Sequence, residues 1–128
     1  MRTEIDNKLI RNSRPGYPSK SIGEEVVAKW VQAAKEKGAK SILCLLSDAQ
    51  LQYYQFSGDG NLIDYYRAAG LEVASVPVED HKWPPLSQDE MEQALAAYQT
   101  LPKPCLVHCS AGIDRTGAVV DAIVGRGT

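Results

Sequence analysis

A chain of 128 residues is long enough for one domain with its own hydrophobic core. Hydrophobic residues make up 44%, an ordinary globular share, and a net charge of −2 gives no bulk attraction to nucleic acid or an anionic membrane. No apolar run approaches the ~20 residues of a membrane span, and residues 1–6 lack the apolar stretch of a secretory signal.

In chain order, residues 7–14 read as a first strand or extended arm, and Pro15, Gly16, Tyr17 and Pro18 as a turn. Ser21 and Glu24 have the spacing of a capping box, which predicts a helix over residues 22–37 that stops before Gly38. Residues 41–46 are a short apolar run, the pattern of a buried strand. Residues 47–60 read as a loop or short helix ending in Ser57, Gly58, Asp59 and Gly60. Asn61 caps a helix to Ala69, which Gly70 ends; residues 71–78 follow as a strand and residues 81–85 as a loop. Ser87 and Glu90 repeat the capping box and open a helix to about Thr100. Cys105, Leu106 and Val107 form the last strand, and residues 118–124 the last helix. Strands alternating with helices predict a single α/β domain over residues 1–128, a mostly parallel central sheet with helices on both faces.

In such sheets ligands bind at the carboxyl ends of strands. The last strand delivers His108, Cys109, Ser110, Ala111, Gly112, Ile113, Asp114, Arg115, Thr116 and Gly117. A loop between strand and helix aims its amides and the positive helix N-terminus at one point, which suits a phosphate and stabilises a thiolate. Another strand delivers Glu79 and Asp80. A proton for a leaving oxygen needs an acid facing the nucleophile, and Asp80 is the candidate. Glu79 is its rival, and strand alternation turns it toward the other face. The three cysteines form an odd set without metal spacing. Cys105 and Cys109 stand about 13 Å apart along a strand, too far for a disulfide. Free thiols suit a reducing cytoplasm.

The run from His108 to Gly117 resembles the signature of the cysteine-dependent protein tyrosine and dual-specificity phosphatases, His-Cys-x5-Arg-Ser/Thr-Gly, at every defining position. Val76, Pro77, Val78, Glu79 and Asp80, followed by Pro84 and Pro85, look like the acid-bearing loop of compact dual-specificity members; the Trp-Pro-Asp order of the larger enzymes is absent. The resemblance implies hydrolysis of a phosphomonoester through a cysteinyl-phosphate on Cys109. It implies that Ser110, Ala111, Gly112, Ile113, Asp114 and Arg115 bind the phosphoryl oxygens, with Arg115 using its planar fork. Asp80 would act as acid and then base. The Thr116 hydroxyl would bond the sulfur or serve as a helix cap, or both. His108 would order the loop and help lower the thiol pKa. Neither metal nor organic cofactor is implied.

A phosphorylated protein or a small phosphoester is the expected partner. Uncharged Ser110 and Ile113 argue against a polyanionic lipid, whereas an Asp114-Arg115-Thr116 run recurs in lipid-directed relatives and argues for one. Arg14 and Lys82 are candidates for flanking contacts. Two other classes stay open: a phosphate-binding module without turnover, and a thiol redox enzyme with Cys44 as resolving thiol. Relatives usually continue for one or two helices beyond the signature helix, whereas this chain stops at Thr128. The last helix is apolar on nearly all sides, so an exposed apolar face and self-association through it are expected.

Overall fold

The computed structural model describes residues 8–54, 56 and 60–126. Four strands, β1 (Leu9–Asn12), β2 (Ser41–Cys44), β3 (Glu72–Ser75) and β4 (Cys105–His108), pair in parallel in the order β1-β4-β2-β3. Five helices connect or follow them: α1 (Glu24–Glu36), α2 (Asp48–Leu51), α3 (Leu62–Ala68), α4 (Gln88–Thr100) and α5 (Asp114–Arg126). The register sets Asn12 and Cys44 on either side of His108, and Ser75 beside Cys44. Four strands thus end at one edge, where the segments that follow them converge.

Side-chain alternation along the strands splits the core in two. Ile10, Ile42, Cys44 and Leu106 pack with Val27 and Val31 of α1 and Leu62 and Tyr66 of α3. Leu9, Leu43, Cys105 and Val107 pack on the opposite face with Ala94 of α4 and Val119 and Val120 of α5. Each of the larger side chains contributes about 1.5–3 kcal/mol by leaving water. The two-faced α/β sheet expected from the sequence is therefore the observed architecture. Truncating a central residue such as Leu106 to Ala would cost about 2–5 kcal/mol.

Several boundaries differ from the sequence reading. Ser21 does not cap α1: the cap is Gly23, without a side-chain bond. Ile22 is buried and held extended by a bridge to Tyr54, so the helix starts only after it. The runs 41–46 and 71–78 shrink to four-residue strands. Leu45, Leu46, Val76 and Val78 are buried beyond the strand ends, so their apolar character reports core rather than ladder. Within 7–14 the strand is Leu9–Asn12, and Asn7 lies outside the described residues. The run 47–60 contains the short helix α2, capped by Ser47; residues 57–59 lie outside the described residues. The Asn61 cap and the Ser87–Glu90 capping box form as read.

The last helix begins at Asp114, one turn earlier than residue 118. Thr116 therefore sits in its first turn and is not its cap. Among the described residues the expected broad apolar face is not seen. Val119 and Val120 are buried, Ala118, Ala122 and Ile123 are half-buried, and Val124 is 45% exposed. The sheet and α4 together cover most of this helix. Among the described residues no helix is long and apolar enough to cross a membrane.

Candidate active site

The segment between β4 and α5 is shaped by contacts with the chain that leaves β1. Gly112 has φ +77°, and a Cβ there would stand 2.6 Å from the Asn12 carbonyl oxygen, so only glycine fits. Arg11 NH2 donates to the Gly112 carbonyl at 2.8 Å, and the Arg14 amide donates to the Ser110 carbonyl at 2.9 Å. These bonds tie two of the loop's carbonyls to the chain that leaves β1. Among the described residues, none of the amides of Ser110, Ala111, Gly112 and Ile113 donates to a backbone carbonyl. Free amides beside a helix N-terminus make a nest for an anion. Cys109 opens this loop and is 2% exposed.

His108 braces the loop from below. Burial pushes its pKa down to about 4, so the ring is neutral near pH 7. Its Nδ1 lies 3.1 Å from the Cys109 carbonyl, which can only accept, so Nδ1 carries the hydrogen. Nε2 then accepts from the Tyr66 hydroxyl at 2.9 Å. The Trp30 ring meets the imidazole edge-on, with centroids 5.4 Å apart. His108 thus joins the Cys109 carbonyl to the Tyr66 hydroxyl as a neutral ring.

Arg115 is 1% exposed, and its three nitrogens have different duties. NH1 donates to the Leu45 carbonyl at 3.1 Å, the Val78 carbonyl at 2.8 Å and Gln50 Oε1 at 2.8 Å. Nε has no partner among the described residues. NH2 meets Asp80 Oδ2 at 3.0 Å as an ion pair, without the alignment of a hydrogen bond. One nitrogen thus anchors the guanidinium, while the Nε–NH2 edge keeps the geometry for two phosphoryl oxygens.

Asp80 stands opposite. Burial pushes its pKa up, but the Arg115 charge, the His81 amide and the Gln50 amide outweigh this and hold it below its ordinary value. Gln50 Nε2 donates to Asp80 Oδ2 at 3.0 Å, and the His81 amide donates to Oδ1 at 2.9 Å. Glu79, the rival acid, is exposed and lines the same cavity, so alternation does not carry it away from the site. Only Asp80 of the two pairs with Arg115 among the described residues.

A cavity of about 510 Å³ brings Cys109, Ser110, Ala111, Asp114, Arg115 and Asp80 together. Two further residues shape it, one of them without a clear signal in the sequence. Arg14, a candidate for flanking contacts, is 2% exposed and lines the cavity. Its Nε donates to Ser110 Oγ at 3.0 Å, and its guanidinium lies over the rings of Tyr17 and Tyr53. It pairs with no carboxylate among the described residues. Gln50, on α2, carried no signal except its place three residues after Ser47.

Other candidates fall away from the cavity or stay idle. Ile113 is half exposed, and Lys82 pairs with Glu90 instead of facing the site. Thr116 Oγ1 is buried with no hydrogen-bond partner among the described residues, so the expected bond to the sulfur is not made in this state. Cys44 is fully buried at the end of β2, and burial pushes its thiol up to about 12. That makes it a poor resolving thiol.

A parallel sheet that presents a cysteine loop, a buried arginine and an opposed aspartate at its carboxyl edge is the layout of a cysteine-based phosphatase. The chain belongs to the family described as polymorphic toxin system, DSP-PTPase phosphatase, whose model matches residues 19–127. The fold is shared with solved structures. Tk-PTP in its active form aligns with TM-score 0.69 and 21% identity, over 98% of this chain and 74% of that one. A mutant form of Tk-PTP aligns with TM-score 0.63 at 21% identity, over 98% and 72%. The core catalytic domain of the PP-IP phosphatase SIW14 from S. cerevisiae, in complex with citrate, aligns with TM-score 0.62 at 18% identity, over 95% of this chain and 63% of that one. A comparison with curated proteins gave no match.

Proposed function

We propose that residues 1–128 form one phosphatase domain that hydrolyses phosphomonoesters through a cysteinyl-phosphate, with phosphotyrosine and phosphoserine/threonine proteins as its substrates. The observation that carries this reading is Arg115: NH1 is fully engaged, while the Nε–NH2 edge makes no hydrogen bond among the described residues and is met by Asp80 alone as an ion pair, in the same cavity as Cys109. The phosphate enters on that edge and on the amides of Ser110, Ala111, Gly112, Ile113, Asp114 and Arg115. The Cys109 thiolate attacks phosphorus and forms an S–P bond. The P–O bond to the leaving group breaks, and protonated Asp80 supplies that oxygen with its proton. Water then attacks phosphorus, giving its proton to Asp80, and the sulfur departs as thiolate with the Thr116 hydroxyl turned toward it. Amides fixed in place stabilise the charge that spreads in each transition state. His108 orders the loop through its bond to the Cys109 carbonyl. The need for a free thiolate fits a reducing cytoplasm.

A second reading, a phosphoinositide or other small-molecule phosphatase, is favoured by Arg14, a buried cation without a carboxylate partner among the described residues, on the same cavity wall. The relation of fold to a PP-IP phosphatase domain agrees with it. Side-by-side assay of an aryl phosphate, phosphopeptides and inositol phosphates tests both. Turnover of the aryl phosphate that vanishes in Cys109→Ser supports the mechanism, and the ranking of the other substrates decides between the readings. Failure to hydrolyse any of them would leave only a phosphate-binding module.

A further inference from the structure

Gln50 lies outside every motif of the sequence, yet its carboxamide sits between the two charged groups of the site. Oε1 accepts from Arg115 NH1 at 2.8 Å and from the Ser47 amide at 3.3 Å, while Nε2 donates to Asp80 Oδ2 at 3.0 Å. A carboxamide has one accepting end and one donating end. The reverse orientation would set N–H against a guanidinium and oxygen against a carboxylate, so the site fixes which way it points. The residue is buried, and its backbone is held in turn: the Ser47 hydroxyl accepts from the Gln50 amide, closing a capping box at the start of α2.

We infer that Gln50 is a positioning residue, which ties Asp80 to Arg115 so that the proton donor stays beside the leaving oxygen while the guanidinium changes partner. The inference rests on the phosphatase reading above. In the free protein Arg115 NH2 faces Asp80. A phosphate that takes the Nε–NH2 edge displaces Asp80 from this nitrogen. Without another tether the carboxyl group would be held only by its own loop, through the His81 amide and, at 3.6 Å, the His81 ring. Gln50 supplies that tether from a separate element. Arg115 NH1 stays anchored without Gln50, because Leu45 and Val78 share that duty. Removing Gln50 should therefore disturb proton delivery more than phosphate binding.

The chemistry of the capping box provides a selective variant. Glutamate serves at this position of a capping box as well as glutamine does. Gln50→Glu keeps the acceptor for Ser47 and Arg115 but replaces the donor to Asp80 with a like charge. Asp80 itself meets Arg115 and His81, and the charged and titratable groups that share its cavity are Asp114 from α5, Cys109 from the loop, Arg14, Tyr17 and Lys20 after β1, Tyr53 after α2, and Glu79. All of these stay as they are in Gln50→Glu, so a change in the titration of Asp80 reports position 50.

The test is the pH dependence of kcat/KM and kcat for an alkyl and an aryl phosphate, in the unaltered protein, Gln50→Glu, Gln50→Met, and Gln50→Met with Asp80→Asn. In Gln50→Glu the descending limb of kcat/KM should move up by about one pH unit, because a like charge disfavours the carboxylate. In Gln50→Met, kcat for the alkyl phosphate should fall about tenfold, and for the aryl phosphate less, since a good leaving group needs less acid help. The same change should cost less than about twofold when Asp80 is already Asn. Phosphate binding by Cys109→Ser should change by less than about threefold when Gln50→Met is added. An unmoved limb in Gln50→Glu, or an equal loss in both Asp80 backgrounds, would overturn the inference. If the unaltered protein turns over neither ester, the phosphatase reading falls and takes this inference with it, a result distinct from the other two.

Discussion

Asp80 Oδ2 stands 3.0 Å from Arg115 NH2, so the free protein holds its proposed acid as a carboxylate against its proposed phosphate ligand. The reaction needs the opposite: a protonated Asp80 and an Arg115 edge free for phosphate. Substrate binding must therefore exchange one anion for another at the same nitrogen. The incoming dianion removes the charge that stabilises the carboxylate and adds one that opposes it, so the pKa of Asp80 rises on binding. The descending limb of kcat, which reports the complex, should lie at higher pH than that of kcat/KM, which reports the free protein. Coincident limbs would show that Asp80 never leaves Arg115.

The same pair makes a stability prediction. The folded-state pKa of Asp80 is depressed, so its stabilising contribution is fully present above the unfolded value, near 3.9, and is lost as pH falls through the folded value. Asp80→Asn should lower Tm at pH 7, with the gap closing below about pH 4. Thermal melts across pH would check this; a gap that persists unchanged into acid would assign the loss to packing instead.

Arg115→Lys should fail twice. A lysine cannot serve three acceptors around NH1 and also present a planar edge to phosphate. The acceptors it abandons are the Leu45 and Val78 carbonyls and Gln50 Oε1. Leaving a buried acceptor unpaired costs about 1–3 kcal/mol, and losing the transition-state donors costs about 10²–10³ in kcat. Melting and steady-state kinetics read the two effects separately.

Gly112→Ala should collapse the anion nest without unfolding the protein. Its Cβ would meet the Asn12 carbonyl at 2.6 Å, and φ +77° disfavours any side chain. A residue forced into that region costs about 1–3 kcal/mol. Phosphate or vanadate titration should show binding weakened by about tenfold or more, a free-energy cost of about 1.4 kcal/mol. Binding within about twofold of the unaltered protein, a difference under ~0.5 kcal/mol, would show that the loop tolerates the shift.

Tyr66→Phe removes the hydroxyl that donates to His108 Nε2. A neutral histidine then keeps a buried acceptor without that partner, at about 1–3 kcal/mol. Stability should fall while kcat changes less than in Asp80→Ala, where the loss should be about 10²–10⁴ for poor leaving groups. Melting curves beside steady-state kinetics for both variants would check the contrast.

Much of this was legible in the sequence for stated reasons. The alternation of apolar runs with capped segments pointed to the two-faced sheet, because each strand of a covered parallel sheet is apolar on both faces. The spacing from His108 to Gly117 located the loop and its arginine, because such chemistry tolerates few changes of type or distance. Strand lengths were overestimated at Leu45, Leu46, Val76 and Val78, since buried loop residues look like strand residues to a hydrophobicity count. Ser21 had the right spacing for a cap but lost to a long-range contact, the pairing of Ile22 with Tyr54. Arg14 was legible only as a candidate for flanking contacts and Gln50 not at all, because their partners lie far off in the chain, Ser110 for one, Arg115 and Asp80 for the other. The apolar last helix suggested an uncovered face because one sequence cannot show that α4 lies along it.

The proposed mechanism requires a covalent bond between phosphorus and the sulfur of Cys109. Asp80→Ala should slow hydrolysis of that intermediate, because the base for water is gone, while an aryl phosphate still forms it. Acid quenching of this variant during turnover, followed by peptide mass spectrometry, should find one phosphoryl group on the peptide carrying Cys109. Turnover of the aryl phosphate by Cys109→Ser at a comparable rate, with no phosphopeptide in the quenched Asp80→Ala sample, would contradict the account.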